Sequence, residues 1–453
     1  NHYDFIRRLT MKIKHALAFF NILSNDERRA RNLVIDSRKM KPNSIFIAID
    51  KGINFINKLK IKPLIILSNV DLPGVYYVKN LKEQLGYFAN FFYKIKSNKP
   101  HLIGIIGTNG KTSVATILHN LLSKSMVVTT LKNLKDSFIS VNTTPNAIEL
   151  ANDIVLARKR KKHFLILEVS SIGIKEGRVN GFDFDYLIFT NLTSDHLDYH
   201  KTLKDYQDTK LNFINNSNAL LVANYLDKFG KELCDKRSNT ISYSLSKDQI
   251  ITSNINKTVF KFNEKIIETN LIGRFNILNL VAVLTLLSAI GKRIDLSKIR
   301  KCETVQGRMD VIHLSPNIII DYAHTSVAML KAIKEIKRMT IGKLILIFGA
   351  GGERDKSKRR EYGNIALKYA DYIILTNDNP RNEDPYQIIN DIMGENKDKF
   401  QVCISRSRAI EKGIKLLTKD DSLLILGKGH EDYQLVENLK IPYSDYKEVK
   451  KWL

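Results

Sequence analysis

Short apolar runs that stop abruptly at a small or polar residue recur along this chain. The run 102–106 stops at Gly107, 164–167 at Glu168 and 186–189 at Thr190. Further on, 318–320 stops at Asp321, 344–348 at Gly349, 372–375 at Thr376 and 423–426 at Gly427. Runs of this length, apolar on both faces and rich in β-branched residues, predict parallel strands buried between helices. The amphipathic stretches between them complete an α/β class. Such sheets bind ligands outside the carboxyl ends of their strands, which is where the polar residues of interest gather here. No period of 20–50 residues repeats, and no low-complexity tract stands out. The polar stretch 94–100 interrupts the pattern, and a second break falls near 306–308, after a helical stretch over 280–290. The expected division is a small N-terminal domain over 1–99, a larger central one over 100–306 and a C-terminal α/β domain over 307–453.

The length of 453 residues agrees with three domains of ~150 residues each. With 43% hydrophobic and 26% charged residues the chain is not disordered overall. The three cysteines, Cys234, Cys302 and Cys403, are far apart and odd in number. They give neither a disulfide framework nor a zinc spacing, and predict a reducing compartment. No apolar run approaches the ~18 residues of a membrane span. The segment 5–20 mixes basic and apolar residues without a cleavage-site pattern, so no signal peptide is expected and the location expected is cytoplasmic. Charge is the unusual feature: 72 Lys and Arg against 47 Asp and Glu, net +25. One reading is a polyanion partner. The other is compositional drift together with anionic small substrates. Lys, Ile and Asn are spread through every segment, and no basic stripe interleaved with aromatics appears, which favours the second and predicts no specific nucleic-acid site.

The sharpest chemical signal is the segment from Gly104 through Gly107, Thr108, Asn109, Gly110, Lys111, Thr112 and Ser113, between an expected strand and an expected helix. Glycines let the backbone wrap a phosphate, a helix N-terminus adds partial positive charge, Lys111 adds a full one, and Thr112 is placed to ligate Mg²⁺. The strict G-x-x-x-x-G-K-T spacing is not met: Ile105 holds the first glycine position, and Gly104 lies one residue earlier.

The variant Gly-Thr-Asn-Gly-Lys-Thr resembles the Mur ligases and their folylpolyglutamate synthetase relatives. Asn142-Thr143-Thr144-Pro145, Glu168-Val169-Ser170-Ser171 and the run from Thr190 to His200 continue that resemblance. So do Gly307-Arg308-Met309, Asp321-Tyr322-Ala323-His324-Thr325, the run from Gly351 to Lys356, Asp378-Asn379-Pro380-Arg381 and Gly427-Lys428-Gly429-His430-Glu431, in the same order. The resemblance extends from about Asp36 to Asp445 and is strongest to the members that add the third residue of the peptidoglycan stem. It implies a P-loop-type central domain with a mostly parallel sheet and flanking helices, a Rossmann-like C-terminal domain and a small α/β N-terminal domain that binds the UDP moiety. The implied reaction is ATP-dependent and runs through an acyl phosphate. It joins meso-diaminopimelate to the D-glutamyl γ-carboxylate of UDP-N-acetylmuramoyl-L-alanyl-D-glutamate, and the enzyme is expected to be a monomer.

Residue by residue, the resemblance assigns catalysis to Lys111, Glu168, His196 and Lys210. Taken alone, a single His is more often structural and one Lys among 72 basic residues is a solvated side chain. In the family pattern Thr112, Glu168 and His196 hold Mg²⁺, and Lys210 is carbamylated, its charge turned from cation to anion. ATP contacts are expected from residues 107–113 and from Asn276, Asn279, Arg308 and His324, although an Asn at a helix start also serves as a cap. The UDP-peptide is expected at Ser37, Asn142, Thr143, Thr144, Ser170, Glu176 and Arg178. The incoming amino acid is expected at Arg354, Asp378, Asn379, Pro380, Arg381, Gly427 and Glu431. The Asp-Asn-Pro-Arg form marks the diaminopimelate-adding members. Its chemistry fits, because diaminopimelate differs from lysine by a distal carboxylate, and arginine is the planar cation that reads one.

Several positions depart from the pattern. Glu176 stands for a usual Gln, adding negative charge near an anionic substrate. Ile172 replaces a usual His, Ala350 a usual Cys and Tyr446 a usual Arg, and the stretch 51–63 is short. The competing readings are an L-lysine-adding or folylpolyglutamate-type ligase and, from another class, a basic P-loop ATPase that binds nucleic acid.

Overall fold

The computed structural model of the chain describes residues 10–96, 99–131, 134–193, 197–303, 305–437 and 439–453. Two compact units emerge. The first takes in the described residues up to Ser244 together with Ala282–Arg293, and the second Leu245–Val281 with Ile294–Leu453.

The first unit carries two parallel sheets. A four-stranded one runs Asn32–Val34, Ser44–Ala48, Ile65–Ser68 and Tyr76–Tyr77 in spatial order. In Ser44–Ala48 the two-residue period separates two cores: Ile45 and Ile47 join the unit's main core, while Phe46 and Ala48 pack with Val34 and Met40 on the other side. The short stretch after it forms the 3₁₀ turns Asp50–Lys58. The larger sheet has seven strands in the order Thr240–Tyr243, Leu220–Asn224, Tyr186–Phe189, His101–Ile106, Phe164–Val169, Ser125–Thr129 and Ser137–Ile139, all parallel. The chain builds outward from His101–Ile106 first to one side and then to the other. The crevice at that reversal is where a parallel sheet binds its ligand.

The second unit holds a six-stranded sheet in the order Asp310–His313, Asn317–Asp321, Ser422–Leu426, Leu344–Phe348, Tyr372–Leu375 and Gln401–Val402, parallel apart from the first pair. Its strands bury both faces. Ile318, Ile320, Ile345, Ile347, Ile374, Leu423 and Ile425 fill one side, and Ile319, Leu344, Leu346, Phe348, Leu375, Leu424 and Leu426 the other. The unit also holds a three-stranded antiparallel sheet, Ile250–Ser253, Thr258–Phe262 and Lys265–Thr269, and a two-stranded one, Tyr433–Val436 with Leu439–Pro442.

Three expectations change in detail. Glu168 and Asp321 lie inside their strands, Phe164–Val169 and Asn317–Asp321, rather than just after them. The expected helix 280–290 is Arg274–Ala289, starting just after Gly273 (φ 84°), and it is buried nearly all round. The strands before Glu168 and His196, whose side chains are expected to share one Mg²⁺, are not neighbours but flank His101–Ile106 on its two sides.

Candidate active site

The phosphate loop leaves His101–Ile106 at the sheet's reversal point and enters the helix Lys111–Leu121. Gly107 (φ 154°) and Gly110 (φ 87°) hold backbone conformations that favour glycine. A Cβ on Gly107 would stand 1.9 Å from Thr190 Oγ1, so the loop passes this close only without a side chain. The end of the Tyr186–Phe189 strand staples the loop. Thr190 Oγ1 donates to the Asn109 carbonyl at 2.7 Å, and Asn191 accepts from Asn109 N–H and donates to its carbonyl, both at 3.0 Å. Thr108 Oγ1 donates to the Thr193 carbonyl at 3.1 Å and accepts from its N–H at 3.0 Å. Gly104 is not part of the cradle: it sits within the strand, where a Cβ would meet Leu187 and Phe184 at 2.8–2.9 Å.

Lys111 folds over this loop, its Nζ donating to the Gly107 and Thr108 carbonyls at 2.9 Å each. Thr112 Oγ1 donates to Glu168 Oε2 at 2.9 Å, and Glu168 is buried. Lys210, also buried, donates from Nζ to the same Gly107 carbonyl at 2.9 Å and to the Tyr206 hydroxyl. That hydroxyl shares a 2.9 Å hydrogen bond with Thr108 Oγ1. Lys111, Glu168 and Lys210 therefore converge on one loop, while His196 lies outside the described residues. Among the described residues no group of three or more His, Cys, Asp and Glu side chains is placed to hold a metal. The Thr112 hydroxyl and the Glu168 carboxylate are side-by-side oxygen donors of the kind Mg²⁺ takes, so the residues fit that ion. Lys210 fits a carbamate too, with the Gly107 carbonyl placed to accept its N–H and the Tyr206 hydroxyl to serve an oxygen.

A second group adjoins through Glu168. Thr144 Oγ1 donates to the Glu168 carbonyl at 2.9 Å and accepts from Ser170 N–H at 2.9 Å. Ser170 Oγ, 3.0 Å from that hydroxyl, also accepts from Gly173 N–H and opens the short helix Ser171–Lys175. Arg178 Nη1 donates to the Thr144 carbonyl at 2.8 Å, and its Nε and Nη2 donate to Glu176 Oε2 at 2.8 and 2.5 Å. The negative charge of Glu176 is thus met by Arg178. Asn142 is exposed and Thr143 half-buried just before this group. Ser37 opens a 3₁₀ turn that Asp36 caps by accepting from Arg38 N–H.

In the second unit the amino-acid residues gather at the carboxyl ends of Tyr372–Leu375 and Ser422–Leu426. A Cβ on Gly427 (φ 110°) would stand 2.3 Å from Asp378 Oδ2. Asn379 Nδ2 donates to Glu431 Oε2 at 3.2 Å, and Tyr322 OH donates to Glu431 Oε1 at 3.3 Å. Arg381, with φ 52°, donates from Nη1 to the Gly352 carbonyl at 2.5 Å. Glu383, two residues on, is engaged by Arg359 and Lys356. Arg354 is exposed on the neighbouring loop.

The remaining ATP candidates lie in the second unit. Asn276 and Asn279 are buried in the helix Arg274–Ala289, and Asn276 Nδ2 donates to the Ile272 carbonyl at 3.0 Å. Arg308 lies over the Tyr322 ring at 4.7 Å, and exposed His324 has Nδ1 2.9 Å from the Tyr322 carbonyl. Asp321 accepts from Met309 and Ala323 N–H at 2.7 Å each; burial nevertheless pushes its carboxyl above the usual range. Tyr446, where the family pattern has Arg, accepts from Gly307 N–H and donates to Asp310.

Sequence reasoning missed the residues that hold these groups. Lys428 is fully buried, its Nζ donating to Asn379 Oδ1 at 2.9 Å and Glu431 Oε2 at 2.8 Å. Its signal was a lysine between two glycines, both at positive φ. Tyr206 precedes Lys210 by four residues on the helix Leu203–Asn215, the spacing that puts two side chains on one face.

Residues 105–287 match the Mur ligase middle domain, and residues 307–429 the Mur ligase glutamate ligase domain. The UDP-N-acetylmuramoyl-L-alanyl-D-glutamate--2,6-diaminopimelate ligase of Prochlorococcus marinus subsp. pastoris is 36% identical over 428 residues, 85% of this chain and 84% of the relative. The ligase of that name from Buchnera aphidicola subsp. Schizaphis graminum is 35% identical, covering 95% and 97%. A solved structure of a ligase of that name aligns over 98% of both chains with TM-score 0.69 and 27% identity. In fold alone, the MurF ligase from Thermotoga maritima in complex with ADP is also similar, at TM-score 0.66 and 18% identity over 93% of this chain and 96% of that one. With a relative this similar along most of both chains, and both domain matches in the expected order, this chain belongs to the Mur ligase family.

Proposed function

We propose that the chain is an ATP-dependent amide ligase that joins meso-diaminopimelate to the D-glutamyl γ-carboxylate of UDP-N-acetylmuramoyl-L-alanyl-D-glutamate in peptidoglycan synthesis. The observation that carries the reading is the 36% identity to a ligase of that name along 84% of its length. The Asp378–Arg381 loop, gathered with Gly427 and Glu431 at the carboxyl ends of the second unit's sheet, supports it. A carboxylate and an amine do not condense unaided at neutral pH. The substrate γ-carboxylate takes the γ-phosphoryl group of ATP, and the amine of diaminopimelate then displaces phosphate as the amide bond forms. The chain's work is positioning and charge neutralisation. Lys111 and the N-terminus of Lys111–Leu121 bind the phosphates. Thr112 and Glu168, with His196, hold Mg²⁺, which supplies charge neutralisation at the phosphates when bound. Carbamylated Lys210 serves the same centre. Ser170, Thr144, Glu176 and Arg178 bind the UDP-peptide with Ser37, Asn142 and Thr143. Asn276, Asn279, Arg308 and His324 complete the nucleotide contacts. The domains read from the sequence, 1–99, 100–306 and 307–453, take the UDP moiety, ATP and amino acid respectively.

Purified enzyme incubated with ATP, Mg²⁺ and the UDP-dipeptide tests this. Phosphate release that requires diaminopimelate is the expected result. Release with L-lysine but not diaminopimelate would make it a lysine-adding ligase.

A further inference from the structure

Two loops build the amino-acid end of the second unit, and their cross-bracing has a centre outside both. Gly352 N–H donates to the Asn379 carbonyl at 2.9 Å, and Arg381 Nη1 donates to the Gly352 carbonyl. A Cβ on Gly352 would fall 1.9 Å from the Pro380 carbonyl oxygen, so the loops touch backbone to backbone. Across them lies Arg359, on the helix Ser357–Tyr369 and 1% exposed. Its Nη1 donates to Glu383 Oε2 at 2.9 Å and its Nη2 to Glu383 Oε1 at 3.0 Å, a two-pronged grip. Nη1 also donates to Asp391 Oδ2 at 2.9 Å, and Nη2 reaches the Gly351 carbonyl at 3.4 Å. Glu383 accepts in turn from Glu353 N–H, in the loop that carries Arg354. One buried guanidinium therefore holds Gly351 directly and Glu353 through Glu383, the residue two positions after Arg381.

We propose that Arg359, acting through Glu383, is a specificity-determining positioning residue: it fixes the Arg381 loop against the Gly351–Arg354 loop so that an amino acid with a second, distal carboxylate is selected. The inference rests on the diaminopimelate reading. Arg359 does not touch the substrate. The Arg381 backbone is itself held by Leu435 and Glu437, its N–H donating to the Leu435 carbonyl at 3.1 Å and its carbonyl accepting from Glu437 N–H at 2.7 Å. What the Arg359–Glu383 grip adds is the placement of the Gly351–Arg354 loop, whose Gly352 carbonyl holds the Arg381 guanidinium. A bidentate contact to a carboxylate tolerates little displacement, since a shift of about 1 Å in a substrate-positioning group can cost as much as ~100-fold. Without the grip, Arg381 keeps its charge but loses its aim, and substrates lacking the distal carboxylate are affected least.

Arg359→Ala takes the guanidinium from both Glu383 and Asp391 and risks misfolding, so the test uses Glu383→Gln, which keeps the side chain's size and removes its charge. Asp391→Asn is the control, because it weakens the other partner of the same guanidinium away from the loops. The expected result for Glu383→Gln is a KM for diaminopimelate raised about 10-fold, within the ~100-fold bound above, with kcat and the KM values for ATP and UDP-dipeptide within about 2-fold, and a matching fall in preference for diaminopimelate over L-lysine. Asp391→Asn should lower the unfolding temperature without moving that preference. An unchanged KM for diaminopimelate in Glu383→Gln would overturn the proposal, as would an equal rise in all three KM values or an equal effect of Asp391→Asn. A wild-type enzyme that does not use diaminopimelate would instead overturn the functional reading beneath it.

Discussion

The phosphate loop in the first unit and the amino-acid loops in the second hold their functional groups by different physics. In the phosphate loop, Thr108 and Asn109 are stapled by neutral partners at the end of one neighbouring strand, Thr190, Asn191 and Thr193, beside the bonds that Lys111 and Lys210 make to the Gly107 and Thr108 carbonyls. The amino-acid loops are fixed by buried charge. Arg359 grips Glu383, Lys428 joins Asn379 to Glu431, and Arg406 pairs with Asp445 with both side chains at 0% exposure beneath the Leu426 carbonyl. A ligand of fixed shape, a polyphosphate, is served by a backbone cradle. A zwitterion chosen by the placement of its charges needs charged groups, and each must be held by another. The first arrangement fails locally when changed, and the second transmits failure, because removing one member strands its partner without a counter-charge.

The largest effect expected is in the first region. Lys111→Ala should lower kcat/KM by roughly 100–1000-fold, the scale for losing one preorganised charge-stabilising group. Its bonds are to two loop carbonyls, so denaturant unfolding should be nearly unchanged. Turnover within 10-fold of wild type would break the reading of the loop. In the second region, Asp445→Asn leaves Arg406 buried with half its support and should cost about 3–5 kcal/mol in denaturant unfolding. A loss under ~1 kcal/mol, the scale of an exposed pair, would show that buried charge is not what holds these loops.

Arg381→Ala should raise the KM for diaminopimelate at least ~30-fold, from the ~2–5 kcal/mol typical of a lost buried charge contact and 1.4 kcal/mol per decade, while ATP binding stays within about 2-fold. The smallest effect is on acid stability. The Arg359 guanidinium and the Glu353 N–H hold the Glu383 carboxyl down to about 2, below its ordinary value of 4.5. Its ionised form is favoured by folding, so its contribution is full above pH 4.5 and is lost as pH falls toward 2. The difference in unfolding temperature between wild type and Glu383→Gln should therefore be present at neutral pH and shrink between pH 4.5 and 2. A constant difference over that range would contradict the pairing.

The same contrast explains what could be read from the sequence. The apolar runs at 102–106, 344–348 and 423–426 are strands because their burial on both faces is written in consecutive residues. The phosphate loop was legible for the same reason: its glycines, Lys111 and Thr112 are contiguous, and only Gly104, a packing residue, was misplaced in it. Arg359 and Lys428 were not legible as holding residues, because their partners are brought in by folding, 24 and 49 residues away for Arg359–Glu383 and Lys428–Asn379. Strand order was hidden likewise: nothing local says that His101–Ile106 stands between the strands leading to Glu168 and His196.

The mass of the product decides which amino acid the enzyme joins. The enzyme is given ATP, Mg²⁺, UDP-N-acetylmuramoyl-L-alanyl-D-glutamate and an equimolar mixture of meso-diaminopimelate, L-lysine, L-ornithine and D-alanine. The account predicts one dominant new UDP-peptide, heavier than the dipeptide by diaminopimelate less water, formed with stoichiometric release of phosphate. A dominant product carrying any other amino acid, or phosphate release without a new UDP-peptide, would contradict it.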